Sequence, residues 1–437
     1  MAETEKLREL PSVHEVLEQL GEAAEALPHR IVVDEIRRVL DAARAEIRSG
    51  SVPGDIGTRV RRSLAALSAP SLRRVINATG VVLHTNLGRA PLGPQSFISG
   101  YSNLEYDLAA GKRGKRDVHA GALLERLLGA PAIAVNNNAA AVYLALNELA
   151  SGYEVIVSRG ELIEIGDGFR IPEIMERSGA VLREAGTTNR THINDYRAAI
   201  TERTRLLLRV HPSNFRIEGF TARPELAEVV ALGRERGIPV YEDLGSGCVV
   251  DLRAHGIDEP LVSDSLRAGA DLVSFSGDKL FAGPQAGILA GRPELVARLR
   301  RNPMFRALRL DKTIYQALES TARDLLLERW DRIPALRMIR QSEPEIRERA
   351  ERLASKLRRV ELIPGRSVIG GGATPEQSIP TCLIAFSCAD VVAAERRLRG
   401  GDPPVVARIE EGRLLFDLRT VFPEEEDELA AALQALS

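Results

Sequence analysis

The chain has 437 residues, 44% of them hydrophobic and 27% charged, and a formal net charge of −2. This composition is that of a globular protein, and the length exceeds one core, so we expect two or three domains. No apolar run approaches the roughly 20 residues of a membrane helix, and the charged N-terminus lacks the apolar segment of a signal peptide.

The overall charge is nearly neutral, so it gives no indication of nucleic-acid binding. Such binding would depend on a local basic patch. Seven histidines without paired-ligand spacing argue against a metal site, and three cysteines without such spacing favour a reducing cytoplasm.

Residues 1–70 are predicted to form a small helical domain. Ser12 and Glu15 match a capping box, and apolar residues recur at helical spacing from Ile36 to Ile47. Residues 49–57 have the composition of a loop. Arginines lie on the polar faces, at Arg37, Arg38, Arg44, Arg48, Arg59, Arg61 and Arg62.

Residues 71–330 alternate short apolar strands with amphipathic helices. This pattern predicts an α/β domain with a mostly parallel sheet between helices, whose ligands bind beyond the carboxyl ends of the strands. The predicted strands are residues 132–135, 155–157, 180–183, 205–210, 239–243 and 272–275. The predicted helices include residues 139–150, 224–236 and 264–268.

Residues 331–437 are predicted to form a smaller α+β domain. Residues 405–409 and 414–418 flank a turn at 410–413, which indicates a hairpin. A terminal helix is predicted to start after Pro423, where acidic residues favour the positive helix end.

The main chemical signal is Lys279, in the segment 274–287, SFSGDKLFAGPQAG. The lysine follows an apolar strand and is surrounded by small and hydroxyl residues, which leaves room for a flat cofactor ring on a Schiff base. A lone lysine after a strand is more often solvated, but these neighbours favour the functional interpretation.

Two further segments fit the same cofactor. Asp243 ends an apolar strand, where it could keep a pyridine nitrogen protonated, although it could also cap the next helix. Asn137, Asn138 and Ala139 start a helix, whose N-terminus could bind a phosphate together with the Ser276 hydroxyl. Helix capping alone is the alternative for the asparagines.

Arginines provide a possible oxyanion site. Arg89 lies in the segment 84–92, HTNLGRAPL, and Arg306 and Arg309 are three residues apart, as on one helical face. Surface ion pairs are the alternative, and spacing alone favours them.

Taken together, these segments resemble the bacterial selenocysteine synthase family of fold type I, whose cofactor is pyridoxal 5′-phosphate (PLP). The resemblance covers nearly the whole chain. It is carried by residues 74–92, 101–108, 160–166, 169–172, 186–191, 274–287 and 408–415.

The resemblance implies that L-seryl-tRNA(Sec) is converted to L-selenocysteinyl-tRNA(Sec), by loss of water to an aminoacrylate and addition of selenium from selenophosphate. It implies PLP on Lys279, an oxyanion held by Arg89, Arg306 and Arg309, and catalytic help from Asp278. It also implies a tRNA-binding N-terminal domain and a ring of dimers, a decamer. The alternative is a related PLP lyase acting on a small phosphorylated substrate; the N-terminal domain counts against it.

Overall fold

A computed structural model describes residues 3–25, 27–95, 97–162, 164–165, 168–213, 215, 217–372, 374 and 377–436. The chain divides into two compact units, Met1–Arg74 and Val75–Ser437. Ile163 and Gly166, in one of the segments that carry the family resemblance, lie outside the described residues. Within the described ranges, no helix is both long and apolar enough to cross a membrane.

The first unit is helical, as predicted. Ser12 and Glu15 form both hydrogen bonds of the predicted capping box, at 3.2 and 2.6 Å. The apolar faces, including Val16, Ile36 and Val60, pack into one small core. The helices are Glu3–Arg8, Val13–Leu20, Glu22–Glu25, His29–Arg48 and Ile56–Ser68.

The second unit is built around a seven-stranded sheet. Its strands in chain order are β1 (Ala132–Val135), β2 (Glu154–Ser158), β3 (Val181–Ala185), β4 (Thr204–Val210), β5 (Val240–Gly245), β6 (Leu272–Ser276) and β7 (Gly287–Gly291). The spatial order is β1-β7-β6-β5-β4-β2-β3. β7 runs antiparallel to both neighbours, and the other pairs are parallel.

Helices cover both faces of this sheet. Val273 and Phe275 of β6 contribute to one buried cluster, and Leu272 contributes to the cluster on the opposite face. The helices of the unit are Val118–Leu128, Asn138–Ala150, Ile171–Arg177, Ile193–Ala199, Leu226–Arg236, Val262–Ala268, Pro293–Arg301, Pro303–Ala307, Lys312–Leu326, Pro334–Arg340, Glu343–Ala354, Val391–Arg399 and Glu426–Gln434.

The predicted strands and helices of this region are confirmed to within about two residues, but β7 was not predicted. It is a five-residue strand bounded by Gly287 and Gly291, and glycine at both ends weakens the strand signal. Two-residue strands are Ile76–Asn77, Tyr106–Asp107, Lys112–Arg113, Glu164–Ile165, Phe169–Arg170 and Val405–Val406.

A second, antiparallel sheet follows near the C-terminus. It contains β8 (Val360–Val368), β9 (Ser378–Phe386), β10 (Arg408–Glu410) and β11 (Arg413–Asp417), in the order β8-β9-β11-β10. The predicted hairpin is confirmed as β10 and β11. Its first strand is shorter than predicted because Val405 and Val406 pair instead with Ile76 and Asn77. The division of the second unit at residue 330 stays a prediction.

Asp417 and Arg419 form a buried polar network beside this sheet. Both side chains are almost fully buried. The Ser367 hydroxyl donates to Asp417 at 2.6 Å and accepts from Arg419 at 2.9 Å, so it bridges the two charges. Arg419 also donates to the carbonyl oxygens of Met338 and Pro380. The network therefore joins β8, β9 and β11 to the helix Pro334–Arg340.

We expect Arg419→Leu to lower the free energy of unfolding by about 3–5 kcal/mol, because it leaves the buried Asp417 carboxylate without its charge partner. Urea denaturation measures the change. Arg352→Leu is the matched control, since Arg352 pairs with Glu348 on the surface and should cost less than about 1 kcal/mol. Equal destabilisation of the two variants would contradict a special role for the network.

Candidate functional site

Lys279 lies in the turn between β6 and β7, and its side chain is only 6% exposed. The Leu280 N–H donates to the Ser246 carbonyl at 2.9 Å, which ties the turn to the segment after β5. The Lys279 amine donates to the Gly372 carbonyl at 3.1 Å. Burial lowers the pKa of Lys279, Arg89 lowers it further, and Asp243 and Asp278 oppose this shift. A buried amine of low pKa can act as nucleophile and base.

Asp243 lies near the carboxyl end of β5 and is buried. Its Oδ1 accepts hydrogen bonds from Asn138 at 2.8 Å, Ser274 at 3.1 Å and the Gly245 N–H at 3.2 Å. Burial raises the pKa of Asp243, and the bond from Asn138, the charge of Lys279 and the bond from Ser274 oppose it. These contacts hold the Asp243 carboxylate near the end of β5. Its hydrogen-bond donors are not the N–H groups of a helix start, so the alternative role as a helix cap is wrong.

Asn137 and Asn138 have different roles at the start of their helix. The Asn137 side chain accepts from the Ala140 N–H at 2.9 Å, so Asn137 caps the helix. In the part of the chain that the structure describes, the N–H groups of Asn138 and Ala139 have no hydrogen-bond partner. They remain available to a phosphate.

Gly287 allows the backbone of β7 to pack closely against Asn137, the residue before this helix. A Cβ at this position would lie 2.0 Å from the Asn137 carbonyl oxygen, which no side chain could tolerate. The last glycine of the 274–287 segment is therefore required by close packing between β7 and the turn before the helix.

Asp278 links Arg89 to the lysine turn. Its Oδ2 accepts from Arg89 at 2.9 Å and its Oδ1 accepts from the Ser276 hydroxyl at 2.8 Å. Arg89 has a left-handed backbone, with φ of 63°, and the Ala90 N–H donates to the Asp278 carbonyl. Arg89 is thus held next to Lys279. The predicted phosphate contact of Ser276 stays a prediction, since its hydroxyl here donates to Asp278.

Arg306 and Arg309 line an arginine-rich cavity of about 510 Å³, and Lys279, Asp278 and Arg89 are not among its lining residues. The expectation of a shared helical face is wrong, because the helix ends at Ala307 and Arg309 continues into a bridge with Val135. Arg309 lies 3.6 Å from Glu105. Among the described residues, neither arginine has a hydrogen bond or ion pair to Lys279, Asp278 or Arg89. Their segment nonetheless abuts the helix start, since the Asn136 N–H donates to the Leu308 carbonyl.

Several residues of the site were missed from the sequence. Ser274 precedes Ser276 by two residues in β6, so the strand period of two could have placed both hydroxyls on one face. Ser246 is fully buried, and its hydroxyl has no partner among the described atoms. Gly372 comes from a loop nearly a hundred residues away, and no local signal predicts its contact with Lys279.

These groups fit PLP. The cofactor needs a carboxylate for its ring nitrogen, an amine for its aldehyde and N–H donors for its phosphate, and Asp243, Lys279 and the Asn138 helix start provide them. Asn138 Oδ1 and Ser246 Oγ, from segments beside these groups, are buried and have no hydrogen-bond partner among the described atoms. Within the described residues, no group of three or more His, Cys, Asp or Glu side chains could hold a metal ion.

We expect Arg89→Met to raise the pKa of Lys279, because it removes a nearby positive charge and leaves Asp278 unpaired. At pH values between the lowered pKa and the ordinary value of about 10.4, the variant amine will be more protonated and slower to form an imine. The measurement is the pH dependence of PLP trapping on Lys279 by borohydride. Arg306→Met is the control; a shift of the same size in both variants would contradict the proximity argument.

Comparison with known proteins gives a consistent result. A family model described as L-seryl-tRNA selenium transferase matches residues 75–422, and one described as selenocysteine synthase N terminal matches residues 7–44. An L-seryl-tRNA(Sec) selenium transferase of Geobacter metallireducens is 47% identical, over 98% of each chain. The enzyme of the same name from Aquifex aeolicus is 46% identical over the same shares.

Among solved structures, that of D-glucosaminate-6-phosphate ammonia-lyase is similar in fold. Its TM-score is 0.57 at 20% identity, and the match covers 85% of this chain and 97% of the other. At this identity the likeness concerns the fold alone. The predicted fold type I architecture, with a mostly parallel sheet between helices, is confirmed.

Proposed function

Because this chain belongs to the L-seryl-tRNA selenium transferase family, we propose that it converts L-seryl-tRNA(Sec) to L-selenocysteinyl-tRNA(Sec) with PLP as cofactor and selenophosphate as selenium donor. The observation that carries the proposal is the buried Lys279 amine, whose charge interacts with the buried Asp243 carboxylate. The location that fits a tRNA substrate is the cytoplasm.

When bound, PLP supplies an electron sink that stabilises negative charge at the α-carbon of the seryl group. Asp243 holds a proton on the ring nitrogen, and its three hydrogen-bond donors keep the carboxylate in place. Lys279, whose pKa burial lowers, removes the α-proton from the seryl group and later returns it. Overall, the β-hydroxyl takes up a proton and leaves as water, and the selenium of selenophosphate forms the Cβ–Se bond. A water molecule breaks the Se–P bond, so the phosphorus leaves as phosphate.

Arg89 binds the phosphate group of the donor, and Asp278 positions its guanidinium from the residue next to Lys279. Arg306 and Arg309 provide further positive charge from the arginine-rich cavity, whose backbone abuts the phosphate-binding helix start. An arginine fork suits a tetrahedral oxyanion and stabilises the charge that develops on it.

We expect Lys279→Ala to abolish selenium transfer, since no other group would attach the cofactor and move the α-proton. The measurement is selenium incorporation into purified Ser-tRNA(Sec) supplied with selenophosphate. Lys356→Ala is the control, because Lys356 forms a surface ion pair with Asp427 and should leave turnover unchanged. Substantial transfer by the Lys279 variant would contradict the mechanism. Wild-type protein without transfer would favour the small-substrate lyase.

The N-terminal unit is proposed to bind the tRNA. Several of its arginines are engaged internally: Arg44 with Asp41 at 2.6 Å, and Arg59 with Glu46 at 2.7 Å. Arg48 and Arg62 are exposed and have no hydrogen-bond or ion-pair partner in the described part of this unit. They are the arginines best placed to contact phosphates.

We expect the double variant Arg48→Ala, Arg62→Ala to weaken tRNA(Sec) binding and to lower the salt slope of log K by about one for each phosphate that the variant no longer binds. Fluorescence titration at several salt concentrations measures both quantities. Arg44→Ala is the matched control, since its guanidinium pairs with Asp41. An unchanged slope in the double variant would argue against this surface.

Assembly into a ring of dimers is also part of the proposal. The segment from Phe97 to Leu108 exposes large apolar side chains, including Tyr101, which is fully exposed, and Leu108, which is 73% exposed. Apolar surface of this kind favours burial against another subunit.

A further inference from the structure

A second cavity opens at the carboxyl ends of β2 and β4. Its volume is about 760 Å³, within the roughly 300–1,000 Å³ typical of small-molecule sites. Apolar surface comes from Phe215 and Ile217, and polar groups come from Thr188, His211 and Arg223. We call it the strand-end cavity. The mechanism above uses none of these side chains.

Three segments connect the strand-end cavity to Lys279. The His211 N–H donates to the Asp243 carbonyl at 2.8 Å. A Cβ on Gly245 would lie 3.0 Å from the hydroxyl of Ser213 and 3.8 Å from the Lys279 amine, so the segment after β4 and the amine both lie beside Gly245. Gln377 lines the cavity and follows the Gly372 carbonyl that accepts from Lys279 by five residues. The cavity is therefore next to the reaction site.

We propose that the strand-end cavity binds the terminal adenosine nucleotide of the aminoacyl-tRNA. The inference rests on the proposed function. In any aminoacyl-tRNA the amino acid is an ester of the terminal ribose, so a seryl group at Lys279 brings that ribose and its base within one nucleotide length of the amine. An adjoining cavity of nucleotide size, with both apolar and hydrogen-bonding walls, meets this requirement.

Arg223 is pre-organised for a phosphate at one part of this cavity. Its Nε donates to Glu161 Oε1 at 2.8 Å and its Nη2 donates to the Val210 carbonyl at 2.9 Å. Its Nη1 has no hydrogen-bond partner in the part of the chain that the structure describes, and the side chain is 30% exposed. A guanidinium fixed by two bonds loses little freedom when it binds the phosphate of the terminal nucleotide.

Charge orients the nucleotide in the cavity. The Glu259 carboxylate lies 3.0 Å from His211 Nε2, on the side nearest Asp243 and Lys279. A carboxylate repels a phosphate but accepts hydrogen bonds from ribose hydroxyls. The phosphate thus lies at Arg223, the ribose lies toward His211 and Glu259, and the base packs on the apolar surface of Phe215.

The test uses two single variants, Arg223→Gln and Phe215→Leu. Arg223→Gln removes the ion pair with the buried Glu161 and could disturb folding, whereas Phe215→Leu leaves that pair intact and tests the cavity independently. With seryl-tRNA(Sec) as the varied substrate, we expect each variant to raise KM by about tenfold, while kcat stays within about twofold. Arg197→Gln, which removes a surface pair with Glu235, is the control. Unchanged KM in both variants would overturn the inference.

A small probe separates this inference from the proposed function. Equilibrium dialysis should show that 5′-AMP binds the wild-type protein more tightly than adenosine does, and that Arg223→Gln removes the difference. Equal binding of the two probes by wild type and variant would refute the cavity assignment. Wild-type protein that binds 5′-AMP in this way but transfers no selenium would defeat the proposed function and leave the nucleotide site standing.

Discussion

The chemistry of this protein depends on one amine held away from water between charges of opposite sign. Burial and Arg89 favour the neutral form of Lys279, and Asp243 and Asp278 favour the protonated form. The net effect lowers the pKa of Lys279, which favours the unprotonated amine that can attack a carbonyl carbon or accept a proton. Each neighbour is itself fixed by other contacts: Asp243 by Asn138 and Ser274, and Arg89 by Asp278.

The fold provides these contacts from distant parts of the sequence. β5 and β6 are adjacent and parallel, so Asp243 and the lysine turn emerge at the same sheet edge. β7 brings Gly287 against Asn137, which positions the helix start above that edge. The network of Asp417 and Arg419 joins the C-terminal sheet to the helix Pro334–Arg340. The loop between β8 and β9 places the Gly372 carbonyl within hydrogen-bond distance of the Lys279 amine.

Local pattern predicted what depends on local chemistry. The sequence predicted the apolar strands, the Ser12 capping box and the strand-end positions of Asp243 and Lys279, because periodicity and flanking residues determine them. The spacing of Arg306 and Arg309 gave the wrong prediction of a shared helical face, because the helix ends at Ala307, between the two arginines. The partner of Ser276 could not be predicted, because it depends on the conformation of the turn after β6. The Gly372 contact and the strand-end cavity could not be predicted either, because they join segments that are far apart in the sequence.

The shared carboxylate of Asp278 has a consequence for the order of events during turnover. An anion that binds Arg89 neutralises the charge that helps to keep the neighbouring amine unprotonated. In the proposed mechanism, binding of the donor phosphate at Arg89 therefore raises the pKa of Lys279. The proposed mechanism thus links the two substrates, because a donor phosphate on Arg89 favours the protonated form of the amine that acts on the seryl group.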